Sequence, residues 1–200
     1  MTVSSRTKPE PGETESMAKV CTNEKTSVRQ RWIENGLLEL MQENTFDSLS
    51  VTELCRYLDL SRRSFYRYFR DMEDVLDSLM HHTFQDMAIT DTGLTVGELE
   101  KYYDFWLRHK ALLNALARSD MRSKIAEYAM RYSNEESLKK YLIPHDPGLD
   151  LSREMNLFVT SGLSSLIISW HAEGFQKTPH QMACIAYRML SEPLLIHAPK

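Results

Sequence analysis

The stretch SRRSFYRYFR, Ser61 to Arg70, holds four arginines, four aromatic residues and no acid. On a wheel of 3.6 residues per turn, Phe65 and Phe69 stack one turn apart, with Tyr68 beside them and Leu58 a turn before the start. Arg63, Arg67 and Arg70 gather on the opposite side, next to Tyr66. The spacing predicts a helix held down by its aromatic face, which is core, with guanidinium groups turned outward.

Its surroundings give that helix a partner. Ser50 and Glu53 form an S-x-x-E capping box that opens a short helix through Tyr57. The linking LDLS is the length of a tight helix–helix turn. Leu54 and Leu60 can fill the angle, and Cys55 is a small residue for a close crossing. Ser61 caps the arginine helix and Asp71 caps the next one. Before them, Val28, Trp32, Ile33, Leu37, Leu40 and Met41 share one face of a first helix over 27–43. Two short helices, a tight turn and a basic second helix make a helix-turn-helix, a layout that places guanidinium groups against bases and phosphates.

The segment FDSLSVTELCRYLDLSRRSFYRYFRDMEDVLDSL, residues 46–79, resembles the DNA-binding region of the TetR family of transcriptional regulators. The resemblance is carried by the cap before the second helix, L-x-L-S in the turn, S-F-Y-R-Y-F on the recognition helix and E-D-V-L after it. It implies that Arg62, Arg63, Ser64, Tyr66, Arg67 and Tyr68 meet double-stranded DNA and that Thr52 touches the backbone. Two positions depart from the family pattern. Asp59 stands where the turn usually has glycine, and Met72 where a lysine usually holds phosphate, a role that passes to Arg70.

Bulk composition agrees with a local polyanion contact. The 200 residues carry a formal charge of −4, and setting aside the four arginines of 61–70 takes it to −8. A chain that is 42% hydrophobic can bury a core. Cys21, Cys55 and Cys184 lie far apart with no CxxC, which fits a reducing compartment. The polar N-terminus does not resemble a signal peptide. The longest apolar run, LFVTSGLSSLIISW, is too short and too rich in Ser and Thr to span a membrane. A cytoplasmic protein is expected. The histidines form no metal-ligand spacing, and there is no phosphate loop or nucleophile elbow. Neither a metal, a cofactor nor an enzymatic activity is expected.

The periodicity predicts an all-α chain of about nine helices. Residues 1–24 read as a flexible arm, 25–72 as the helix-turn-helix domain and 73–200 as a larger regulatory domain. Thr95–Glu98 and Thr178–Gln181 are further capping boxes, IPHDPGLD is a loop, and Gly174 stops a long helix from Leu151. The resemblance implies an effector site between helices; the aromatic and methionine content of 99–190, with no charged cluster, suggests Tyr103, Trp106, Tyr128 and Phe158 as lining and a largely apolar small molecule as ligand. A twofold operator asks for a homodimer. The stripes Phe158, Gly162, Leu166 and Trp170, then Met182, Ile185 and Met189, are the expected four-helix interface. The function expected is a repressor released by its effector. The alternative is a helical interaction protein or co-activator whose helix-turn-helix binds a protein.

Overall fold

In the computed structural model, whose described residues are 24–87, 95–133 and 152–191, helices start where short polar side chains can take up free backbone N–H groups. The elements are α1 (Glu24–Leu40), a 3-10 turn (Phe46–Ser48), α2 (Val51–Tyr57), α3 (Arg62–Phe65), α4 (Met72–Asp86), α5 (Val96–Arg108), α6 (Lys110–Arg118), α7 (Ser123–Ser133), α8 (Ser152–Ala172) and α9 (Pro179–Ser191). No strand occurs among the described residues, and the all-α expectation holds. Ser50 and Glu53 complete their capping box. Asp71 accepts from the Asp74 N–H at 2.8 Å, and Thr95 from the Glu98 N–H at 3.2 Å. Thr178 and Gln181 exchange both bonds of a box, with Pro179 as the first helical residue. Past α8, Gly174 adopts φ 69° and the Phe175 N–H reaches back to the Trp170 carbonyl at 2.9 Å, closing the last turn.

Two expectations need correction. The first helix starts at Glu24 and gives way to turns after Leu40, and its expected core residue Val28 is 66% exposed. The arginine helix is one turn long: after Phe65, Arg67 and Tyr68 donate to carbonyls three residues back, and the chain tightens toward the extended residue Asp71. The IPHDPGLD loop, and residues 1–23 of the N-terminal arm, lie outside the described residues.

Ile33, Leu37 and Met41 of α1, Leu54 of α2, Phe65 and Phe69 around α3, and Val75, Leu76 and Met80 of α4 form one end of a continuous buried cluster. Gly36 lets α1 and α2 close on each other, since a Cβ there would lie 2.6 Å from Leu58 Cδ2. The helix α4 is shared. On one side it meets α1 through the buried carboxylate of Glu34, which accepts from Ser78 Oγ at 2.6 Å and holds His82 Nδ1 at 2.9 Å. Arg31 adds a two-point ion pair to Asp86 at 2.8 and 3.2 Å. On the other side α4 meets α7, where Tyr128 donates to Asp77 and the Tyr132 hydroxyl binds His81. Phe84 of α4 stacks on Tyr128 and Tyr132 and meets Trp106 edge-on. Among the described residues, helices α5 and α9 form the most extensive helix pair.

Candidate nucleic-acid interface

The helix-turn-helix is built outward from its turn. After α2 the chain needs a left-handed residue to reverse, and Asp59 supplies it at φ 47°. Aspartate tolerates that conformation better than most side chains. The Leu60 N–H then reaches the Cys55 carbonyl at 2.8 Å, and Leu54, Cys55 and Leu60 are buried in the angle. Ser61 Oγ accepts from the Ser64 N–H at 3.1 Å and starts α3. Phe65 is fully buried and Phe69 nearly so, their rings 6.0 Å apart. With that face fixed, Arg62, Arg63, Tyr66, Arg67 and Arg70 are turned to water.

Thr52, Arg62, Arg63, Tyr66, Arg67 and Arg70 are exposed, and Ser64 and Tyr68 are half-buried. Arg62 lies over the Tyr66 ring and donates to its hydroxyl at 3.3 Å, which braces both side chains. Arg63 and Arg67 make no ion pair among the described residues. Arg70 is committed differently: its backbone N–H and its guanidinium bind Asp74, at 2.9 and 3.1 Å. Asp74 is buried, so it fastens the corner between α3 and α4. Its role escaped the sequence reading, although an arginine four residues before an acid is the signal for it. Met72 is half-buried against the core.

Trp106 and Tyr128 are buried against Phe84 of α4, whereas Tyr103, also buried, packs edge-on against Trp170 of α8. Burial pushes the Tyr103 phenol well up from its ordinary value. Its hydroxyl and Ser164 Oγ are buried without a hydrogen-bond partner among the described residues. Trp106 Nε1 faces the Tyr102 hydroxyl outside hydrogen-bonding geometry. Phe158, expected with this group, is 63% exposed on α8 and does not line it. Of the expected interface residues, Phe158, Gly162 and Met189 are exposed, and Leu166 and Ile185 are half-buried. Trp170 and Met182 turn the other way, into the chain's own core. Trp170 donates to the Lys177 carbonyl at 2.9 Å and packs edge-on against Tyr103 and Phe175, which fixes it inward.

Among the described residues no group of three or more His, Cys, Asp or Glu is placed to hold a metal, and no helix is long and apolar enough to cross a membrane.

A capped helix pair joined by a tight turn, with an outward arginine edge on the second helix, has the layout of a helix-turn-helix. Residues 35–79 match the family of bacterial regulatory proteins, tetR family. The matched segment runs from within α1 through α2 and α3 into α4, so the likeness covers the helix-turn-helix and the helices that hold it. A 63-residue segment is 27% identical to the HTH-type dhaKLM operon transcriptional activator DhaS of Lactococcus lactis subsp. lactis (strain IL1403). That match spans 32% of this chain and only 34% of the relative. The solved structure of the dihydroxyacetone kinase operon activator DhaS overlays with a TM-score of 0.59, over 82% of this chain and 94% of that one, at 16% identity. The fatty acid degradation regulator FadR from Bacillus halodurans overlays with a TM-score of 0.55, over 84% and 96%, at 18% identity. At such identities the overlays show a common helical fold.

Proposed function

We propose that the protein is a homodimeric, ligand-responsive regulator that binds a near-palindromic DNA site through two copies of the α2–α3 unit. The observation that carries this reading is the pair Arg63 on α3 and Arg67 in the turn after it, exposed and without an ion pair among the described residues, on a segment whose opposite face is locked by Phe65 and Phe69. Guanidinium groups in that position can read guanine edges bidentately or hold phosphates. Arg62, Ser64, Tyr66 and Tyr68 extend the contact, and Thr52 of α2 meets the backbone. Arg70 reaches phosphate only with the side of its guanidinium that Asp74 leaves free.

Tyr103, Trp106 and Tyr128 bind the effector, a largely apolar molecule carrying an oxygen acceptor. The buried, unpartnered hydroxyls of Tyr103 and Ser164 support the acceptor, because such groups are costly to leave unsatisfied. Phe84 links that aromatic group to α4, so an effector between α5 and α7 displaces α4 and with it the reading helix. The two overlaid regulators are named for fatty acid degradation and for a dihydroxyacetone kinase operon, which differ widely in ligand polarity.

The second subunit docks on the exposed face of α8 and α9 that includes Phe158, Gly162, Leu166, Ile185 and Met189. The output is repression relieved by the effector; the Lactococcus relative is named an activator. Titration of the full chain against the DNA upstream of its own gene tests the reading. Salt-sensitive, sequence-selective binding that Arg63→Ala weakens is expected. Absence of selective binding leaves the unit as a docking module for another protein.

A further inference from the structure

Cys184 lies apart from every residue used above, yet it does not stand alone. Its Sγ is 3.6 Å from His180 Nε2, one turn back on α9, and His180 Nδ1 is 2.9 Å from Glu100 Oε2 on α5. An ionised carboxylate only accepts, so Nδ1 carries the ring hydrogen, and Nε2 is left as an acceptor aimed at the thiol. Thiol, imidazole and carboxylate thus stand in a relay order, assembled from residues 80 positions apart in sequence.

We propose that Cys184 is a covalent modification site for soft electrophiles of the α,β-unsaturated carbonyl class, with His180 as its base and Glu100 as the positioning residue. In the addition, the sulfur forms a bond to the β-carbon and the C=C electron pair moves onto the carbonyl oxygen as an enolate. The thiol proton passes to His180 Nε2 and from there to the α-carbon. Nothing is oxidised or reduced, and the imidazolium formed midway is held by Glu100.

Access and contrast both favour this thiol. Cys184 is half-buried beside the exposed His180, whereas Cys55 is buried and burial pushes its thiol up, leaving it as an internal reference. On the wheel of α9, His180, Cys184 and the exposed Tyr187 share one flank of the buried stripe, and Ile185 and Met189 share the other. The dimer face proposed above therefore leaves the thiol open. By helical spacing, Asp104 a turn beyond Glu100 and Arg188 a turn beyond Cys184 are the other charged groups on this side of α5 and α9.

The test is limiting N-ethylmaleimide on the full chain, with the adduct at each of the three cysteines followed separately by peptide mass spectrometry from pH 5 to 9. Cys184 is expected to react at least about tenfold faster than Cys55, and His180→Ala to slow it about tenfold, the low end for loss of a general base. His180→Gln, which keeps an amide but no base, should do the same, and the circular dichroism of both variants should match the native chain. Glu100→Gln should alter the pH profile of Cys184 and leave that of Cys21 unchanged. A Cys184 rate indifferent to both His180 substitutions, or a Glu100→Gln profile that superimposes on the native one, overturns the proposal.

Discussion

The two ends of the described chain treat their large apolar side chains in opposite ways. From α1 to α4 the bulk of them is buried, and the outward edge around α3 is arginine and tyrosine. Along α8 and α9, Met155, Leu157, Phe158 and Met189 are all 43% exposed or more. The first surface is finished as protein and suits a polyanion. The second is an apolar patch of the kind that marks an interaction site. One surface presents charge, the other apolar side chains.

Substitutions can sharpen this contrast, and the largest effect belongs to the buried side. Phe69→Ala should lower stability by about 3–5 kcal/mol through a cavity beneath α3, seen as a drop in the urea midpoint. Glu34→Ala should cost about 3 kcal/mol, since Ser78 and His82 lose their buried partner together, and it should fall in the same unfolding experiment. Arg63→Ala or Arg67→Ala should weaken DNA binding by about 1–3 kcal/mol while leaving circular dichroism and self-association unchanged. If both arginine variants bind DNA as tightly as the native chain, α3 is not the reading helix. Phe158→Asp should do the reverse: an unchanged reading head, a sedimentation shift to monomer and, through loss of the second head, weaker operator binding.

The smallest effect is electrostatic. The hydrogen bond from Arg31 holds the Asp86 carboxyl below its ordinary value. A carboxyl depressed in the folded state stabilises it at neutral pH, and that contribution disappears as the pH falls through the folded value. Both side chains are substantially exposed, so Asp86→Asn should cost only about 0.2–1 kcal/mol at neutral pH. The native and variant stability curves should converge in acid.

What could be read from sequence was what lies within one turn of itself. The Ser50–Glu53 box, the Ser61 and Asp71 caps, the tolerance of Asp59 for a left-handed turn and the Phe65/Phe69 anchor are all patterns of three or four residues. The choice of inward face for α8 and α9 was not legible in that way. Trp170 and Phe158 lie on similar stripes, and only the position of Tyr103 and Lys177 decides that one is buried while the other is bare. Contacts that join distant segments left no trace either: Glu34 meets Ser78 and His82 across 44 and 48 residues, and Glu100 meets His180 across 80. The bond from the Arg70 backbone to Asp74, just past the short α3, is likewise something no helix propensity reports.

Three fasteners run the length of α4: Arg70 with Asp74 at its entry, Glu34 with Ser78 and His82 at its middle, and Arg31 with Asp86 at its end. A rod clamped at three points has no slack. Sliding α4 along α1 by a single turn strips a buried carboxylate of its partners, so the cheap motion is for α1 to α4 to swing together. In the proposed regulation, a tilt delivered to Phe84 or Asp77 would be passed by these fasteners to the segment that carries Arg63 and Arg67, as a turn of the handle reaches the teeth of a key.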